Sequence, residues 1–178
     1  VEANNNTTDQ WGNDNNSDVD QSGYENISMT RQYSSNNGSI VNQEGDLNDS
    51  DVYQHGGDGN TSEVQQGGIS NNSLVEQNGT SNDAYLIQGF GGDRNFSDLE
   101  QRGDDNSSYV DQWGNDNVSE AYQRGDRNST TLYQGQIGDE NVSTVEQRGD
   151  DNTSVAHQEG NRNNTDMLQR GDNNSSDV

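Results

Sequence analysis

From Asn4 onward, the same residue types return at alternate positions in a short cassette, Asn-x-Ser-x-Val-x-Gln, followed by a linker x-Gly-x-x. Gln marks the register at Gln10, Gln21, Gln32, Gln43, Gln54, Gln66, Gln77, Gln88, Gln101, Gln112, Gln123, Gln134, Gln147, Gln158 and Gln169, spaced by eleven with one twelve and two thirteens. Asn stands six residues before each Gln, at Asn4, Asn15, Asn26, Asn37, Asn48, Asn60, Asn71, Asn82, Asn95, Asn106, Asn117, Asn128, Asn141, Asn152 and Asn163, and Asn174 starts one more unit. Fixed residues two apart are a strand signal, because successive side chains point to opposite faces. Asn, Ser, Val and Gln therefore share one face of a seven-residue strand. The positions between them vary freely, as at Asp18, Met29, Ile40, Asp51 and Glu63, and take the solvent face. An apolar row through Val19, Val41, Val52, Val64 and Val75 makes a thin dry centre, and the small Ser beside it lets two sheets approach.

The linkers read as reversals. Gly stands two residues after Gln at Gly12, Gly23, Gly45, Gly103, Gly114, Gly125, Gly149, Gly160 and Gly171, among others. A tight reversal needs a residue that tolerates positive φ, and Gly does so at least cost. Ser34 breaks the rule, which predicts a strained or different turn; Phe90 and Gln136 break it inside lengthened linkers. Arg follows Gln at Arg102, Arg124, Arg148 and Arg170, always in alternate turns, and the two-residue insertions after Gln88 and Gln134 fall in the other set. A rung thus holds two strands and two distinguishable turns, about 22 residues. The expected fold is all-β: a two-sheet β-solenoid of about eight rungs, roughly 38 Å long, that stacks into cross-β fibres. It forms a single repeat domain over residues 1–178, with about 15.5 eleven-residue units and no separate domains.

Composition alone points elsewhere. Only 22% of residues are hydrophobic, and 32 acidic residues against 8 Arg and no Lys leave a net charge of -24. Such a chain reads as disordered by composition; the repeat overrides that reading. There is no Pro to interrupt a hydrogen-bonded ladder, and no Cys for a disulfide or thiolate site. No apolar run approaches a membrane span, so no membrane insertion is expected. Net negative charge argues against nucleic acid as a partner. A chain starting at Val1 rather than Met fits a processed mature form.

Regular return of amides has a physical rationale. A buried unpaired amide costs about 1–3 kcal/mol, and an identical amide stacked one rung away is a matching donor and acceptor. The expected structural ladder runs through Asn15 to Asn163 and Gln21 to Gln169, with each amide donating to its copy on the next rung. The repeat runs from about Asn4 to Val178 with no visible capping segment. Uncapped ends are templates for another chain, so head-to-tail stacking into a homopolymer is expected.

The pattern resembles curlin, the repeat of curli amyloid subunits secreted by bacteria, whose motif is Ser-x5-Gln-x-Gly-x-x-Asn-x-Ala-x3-Gln. It can be followed from Asn15 through Gln21, Gly23, Asn26 and Ser28 to Gln32, and again from Asn106 through Gln112, Gly114, Asn117 and Ser119 to Gln123. Asn15 and Asn106 stand where that motif opens with Ser; Ser28 and Ser119 stand where it has Ala, which Ala84 keeps. The resemblance implies a secreted subunit of an extracellular, cell-surface fibre in biofilm matrix, acting in adhesion and aggregation. It also implies export through an outer-membrane pore and growth from a nucleator subunit. Major subunit and nucleator both remain open.

Other chemistry is weaker. Asp-rich turns such as "GDDN" resemble calcium-binding β-rolls, but that repeat is a nonapeptide without Gln and Asn ladders. The alternative reading is therefore a monomeric secreted calcium-binding or adhesive β-solenoid. Four Arg-Gly-Asp tripeptides begin at Arg102, Arg124, Arg148 and Arg170, and the repeat generates them without any need for recognition. The Asn-x-Ser/Thr sequons arise the same way, with Asn facing inward. The Arg column runs beside Asp104, Asp126, Asp150 and Asp172, where opposite charges are expected to interleave. His55 and His157 are far apart in the repeat and lack evident partners; Trp11 and Trp113 read as partly exposed turn aromatics. No Ser/His/Asp set, paired acid site or phosphate loop stands out. Neither an enzyme nor a cofactor or metal is expected, and an ice-binding face would need an outward Thr array that is missing.

Overall fold

A computed structural model describes residues 3–89, 92–135 and 138–178. It contains two parallel sheets. The first holds β1 (Asn5–Trp11), β3 (Ile27–Tyr33), β5 (Asp49–Gly56), β7 (Asn72–Gly79), β9 (Phe96–Arg102), β11 (Val118–Arg124), β13 (Val142–Arg148) and β15 (Asn164–Arg170). The second holds β2 (Asn16–Tyr24), β4 (Gly38–Asp46), β6 (Thr61–Ile69), β8 (Asp83–Gln88), β10 (Ser107–Gln112), β12 (Ser129–Gln134), β14 (Thr153–Gln158) and β16 (Ser175–Asp177). Consecutive strands alternate between the sheets, so the chain winds as a β-solenoid of about eight turns of 22 residues. Among the described residues no helix is long and apolar enough to cross a membrane.

Register follows the repeat. Gln10 pairs with Gln32, Ser28 with Ser50, and Val110 with Leu132. The lengthened linkers leave it intact, for Gln77 still lies beside Gln101. Even the corners are laddered, as Gly125 N donates to Arg102 O at 2.9 Å and Asp105 N to Thr80 O at 2.9 Å. Polar backbone is thereby paired rung on rung around the whole circumference, which a chain this poor in apolar residues requires.

The core is one residue deep. Val41, Val52, Val64, Val75, Leu86, Leu99, Val110, Leu132 and Val145 form its buried spine. Beside it the Ser row is buried, and several of its hydroxyls, including those of Ser28, Ser39, Ser50 and Ser73, find no hydrogen-bond partner among the described residues. In the N-terminal half the row acts as a thin spacer, whereas further along Ser108, Thr130 and Ser154 bond to the Gln columns.

Among the described residues each turn carries two left-handed residues, where the repeat pattern points to one. The first is the Gly: at Gly103 φ is +116°, and an added Cβ would lie 2.3 Å from Gly125 O. The second precedes each ladder Asn, as at Glu25, Leu47, Asp105, Arg127 and Asp151, with φ between 54° and 60°. Ser34 holds φ at 109° in a Gly position, a strained conformation for a residue with a Cβ. Phe90 and Gln136 lie outside the described residues.

Candidate functional site: amide columns and solenoid ends

Alternation along each strand turns the Gln side chains inward, where Gln32 to Gln134 in both sheets are fully or almost fully buried. Each carboxamide has two protons and uses both. Gln32 Nε2 donates along the axis to Gln54 Oε1 at 2.8 Å and across to Asn16 O at 2.9 Å. The same pair of bonds recurs at Gln43, Gln66, Gln88, Gln112 and Gln134. One bond therefore joins rungs, and the other joins the two sheets. From Gln10 to Gln147 each ladder Gln donates to its copy one rung toward the C-terminal end, so each column has a direction.

The Asn column runs the other way, which corrects the expectation of a uniform forward ladder. Asn48 backbone N donates to Asn26 Oδ1 at 3.0 Å. From Asn60 onward Nδ2 also donates back to the preceding rung, as Asn117 does to Asn95 at 3.2 Å and Asn152 to Asn128 at 3.0 Å. Nδ2 also closes the corner: in Asn26 it reaches Ser22 O at 3.0 Å and Gly45 O at 2.7 Å. The left-handed residue just before Asn aims its backbone N–H at the neighbouring rung, so corner geometry sets the direction.

Turn acids use their oxygens locally. Asp126 Oδ1 accepts from Asp104 N at 2.9 Å, and Asp150 and Asp172 repeat the contact. The Arg column does not interleave with these Asp residues, contrary to expectation. Arg102 pairs with Glu100 and Arg148 with Glu146, each two residues back on its own strand, because strand geometry puts those side chains on one face. The Arg-Gly-Asp carboxylates are thus engaged within the rung stack.

Four arginines that the Gln-Arg pattern misses pair between rungs, Arg31 with Asp51 at 3.9 Å and three others more closely. Arg94 grips Asp116 with two bonds of 2.8 and 2.7 Å, and Arg127 and Arg162 grip Asp151 and Glu140 likewise. These bonds hold all three carboxyls below the usual carboxylate range. The signal for them is opposite charge at one repeat position on adjacent rungs. Solvent screening at these exposed positions leaves such pairs little to contribute to stability.

On the outer face of the first sheet, Asp98 sits in register with Glu120. Burial raises its carboxyl most, and Glu120, Glu100 and Glu76 add to that, against a 3.1 Å bond from the Tyr122 hydroxyl. The histidines do have partners, again contrary to expectation: His55 Nε2 lies 3.1 Å from Glu76 and stacks on Tyr53, and His157 Nε2 lies 3.3 Å from Glu159. Trp11 and Trp113 donate their indole N–H to Asp9 and Asp111, two residues back. Among the described residues no group of three or more His, Asp or Glu side chains could hold a metal ion.

At the terminal rungs the columns meet solvent. Gln10 and all of β1 are exposed, whereas Gln32 directly above is buried. Among the described residues Gln10 Oε1 accepts no bond, and Gln169 Nε2 donates to Thr153 O at 2.9 Å but not along the axis. Asn163 Oδ1 and Asn174 Oδ1 likewise lack an axial donor there, because the bonds at those residues all run back to Asn141 and Asn152.

Residues 92–121 match the family model of the curlin associated repeat. No curated protein matches the chain. The matched segment covers β9, the following turn, β10 and the start of β11, which is slightly more than one rung. The repeat and the β-solenoid together fit a curli-like structural subunit.

Proposed function

We propose that this chain is the structural subunit of a secreted, curli-like amyloid fibre at the cell surface. Copies stack head to tail and contribute to biofilm matrix, adhesion and aggregation. What carries the reading is the opposed polarity of the two amide columns. The C-terminal rung presents Gln donors and Asn acceptors; the N-terminal rung presents Gln acceptors and Asn backbone donors. A second copy placed in the same orientation matches both columns at once. An inverted copy laid column on column sets like against like, donor facing donor in one column and acceptor facing acceptor in the other. The Asn15–Asn163 and Gln21–Gln169 columns are therefore the assembly elements, and the turn glycines are the corners that keep rungs at strand spacing. A nucleator subunit and an outer-membrane pore complete the proposed partners by family resemblance.

The test is growth of the purified chain in calcium-free buffer, followed by electron microscopy and fibre diffraction. Unbranched fibres with a reflection at about 4.7–4.8 Å along the axis and one near 10 Å across it are expected. A folded monomer that stays monomeric by sedimentation at micromolar concentration sinks the proposal. A chain that folds by circular dichroism only when calcium is added and then stays monomeric favours the monomeric calcium-binding alternative.

A further inference from the structure

Over their C-terminal four strands the two outer faces of the solenoid differ in what burial would cost, whereas β2, β4 and β6 carry outward Asp18, Asp20, Glu44 and Glu63. On β9, β11, β13 and β15 the outward positions carry Asp98, Glu100, Glu120, Glu146 and Asp166, with the Arg column along their edge. Covering that face would desolvate charges of both signs, at a cost that pairing seldom repays. On β8, β10, β12 and β14 the outward carboxylates are two, Asp83 and Asp111. Asp111 is already 8% exposed and accepts the Trp113 indole N–H at 2.5 Å. Asp83 lies at the strand start and accepts from Thr61 Oγ1 at 2.6 Å.

The rest of this face has relief. Tyr85, Tyr109, Tyr133 and His157 form a continuous ridge, with ring centroids 5.4, 5.5 and 5.8 Å apart. Beside it Ser107, Ser129 and Thr153 lie in register as a low shelf. A two-fold axis parallel to the solenoid lays the shelf of one copy over the C-terminal part of the ridge of another. Ser129 and Thr153 then meet Tyr133 and His157 of the second copy, while mid-strand Tyr85 and Tyr109 face their own counterparts. Small against large across two sheets is how steric zippers close, and the axis leaves both solenoids pointing the same way.

We propose that this face is a lateral docking surface for a second copy of the chain, one that works only in the fibre. The inference rests on the head-to-tail stacking above. Four strands by five residues span about 19 by 17 Å, so one pair of copies covers roughly 650 Å² in total. That is short of the ~1,200 Å² of a stable complex, and two stacked copies on each side reach it. Isolated chains therefore stay unpaired, while filaments pair along their length.

The test is mass per length of wild-type filaments by scanning transmission electron microscopy, compared with Thr131→Lys/Val155→Lys and Thr131→Glu/Val155→Glu. Both positions are half-buried and outward, so the inner rows are untouched. The expected result is a twofold drop in both double variants and none in Thr144→Lys on the opposite face. Single wild-type filaments, paired double variants, or a drop in Thr144→Lys would each overturn the docking surface and leave stacking intact. Absence of filaments would overturn stacking and pairing together. Wild-type filaments that pair only with added soluble β-glucan would assign the face to a foreign polymer instead.

Discussion

Replacing Gln101 by Leu tests the columns most directly. Gln101 is fully buried in mid-solenoid. Its Oε1 accepts from Gln77 at 3.0 Å, and its Nε2 reaches Gln123 Oε1 at 3.1 Å, Asp83 O at 2.8 Å and Ser108 Oγ at 3.2 Å. Leu fills a similar volume but leaves one Gln77 proton and the Asp83 carbonyl without these partners. Gln123 Oε1 keeps a donor, because Ser108 Oγ reaches it at 2.9 Å. Two orphaned groups cost about 2–6 kcal/mol, and the added apolar burial returns about 1–2 kcal/mol. At the middle of those ranges the net loss is about 2.5 kcal/mol, large against a typical total of about 5–15 kcal/mol. Urea unfolding followed by circular dichroism, below the concentration at which filaments grow, measures it. The double variant Gln101→Leu/Gln123→Leu sharpens the test. It again orphans one axial donor, on Gln77, and adds the Ser107 carbonyl that Gln123 held at 2.9 Å and the Ser108 hydroxyl, which among the described residues bonds only to these two amides. Its cost should fall below the sum of the two single losses, because Gln123→Leu alone orphans an axial proton of Gln101 that the double variant no longer carries. A Gln101→Leu chain within about 0.5 kcal/mol of wild type, or strict additivity in the double variant, would refute the idea that the amides act as a column.

Further outcomes follow from other positions. Ser34→Gly should stabilise the chain by about 1 kcal/mol, because φ of 109° costs a Ser and not a Gly; an unchanged or lower urea midpoint contradicts the strained corner. Ser50→Ala should be neutral or stabilising, since its buried hydroxyl has no partner, and a loss above about 1 kcal/mol would mean that the Ser50 hydroxyl bonds after all. Asp98 has a carboxyl raised above its ordinary 3.8, chiefly by burial. The folded chain then holds that proton at a pH where the unfolded chain has released it. This contribution to stability is complete below about pH 3.8 and is lost as pH rises through the folded value. Asp98→Asn should accordingly stabilise the chain at pH 7 and flatten the decline between pH 4 and 7; an unchanged slope in thermal melts would rule this out.

Much of the fold is legible before any coordinates. A period of two inside a period of eleven specifies strands, and the alternation of Arg-bearing with insertion-bearing turns specifies two per rung. The partner of Ser28 as Ser50 then follows by counting, and the two-residue insertions do not disturb it because they fall in corners. The corners themselves were only half legible. Gly announces itself by type, but the left-handed residue before each Asn is Glu25, Leu47, Arg94 or Asp151 by turns, and no one-letter pattern marks it.

Sequence by itself determined the strands, their register and the parity that sends Asn and Gln to one face, because those depend only on spacing along the chain. The tertiary structure alone decided that the Gln and Asn columns point in opposite directions, that Arg102 meets Glu100 and Arg94 meets Asp116, and that tyrosines from two repeat positions merge into one ridge. Those outcomes depend on where each backbone N–H and carbonyl points once the corner has closed. A repeat that is identical for either direction of donation cannot encode that choice.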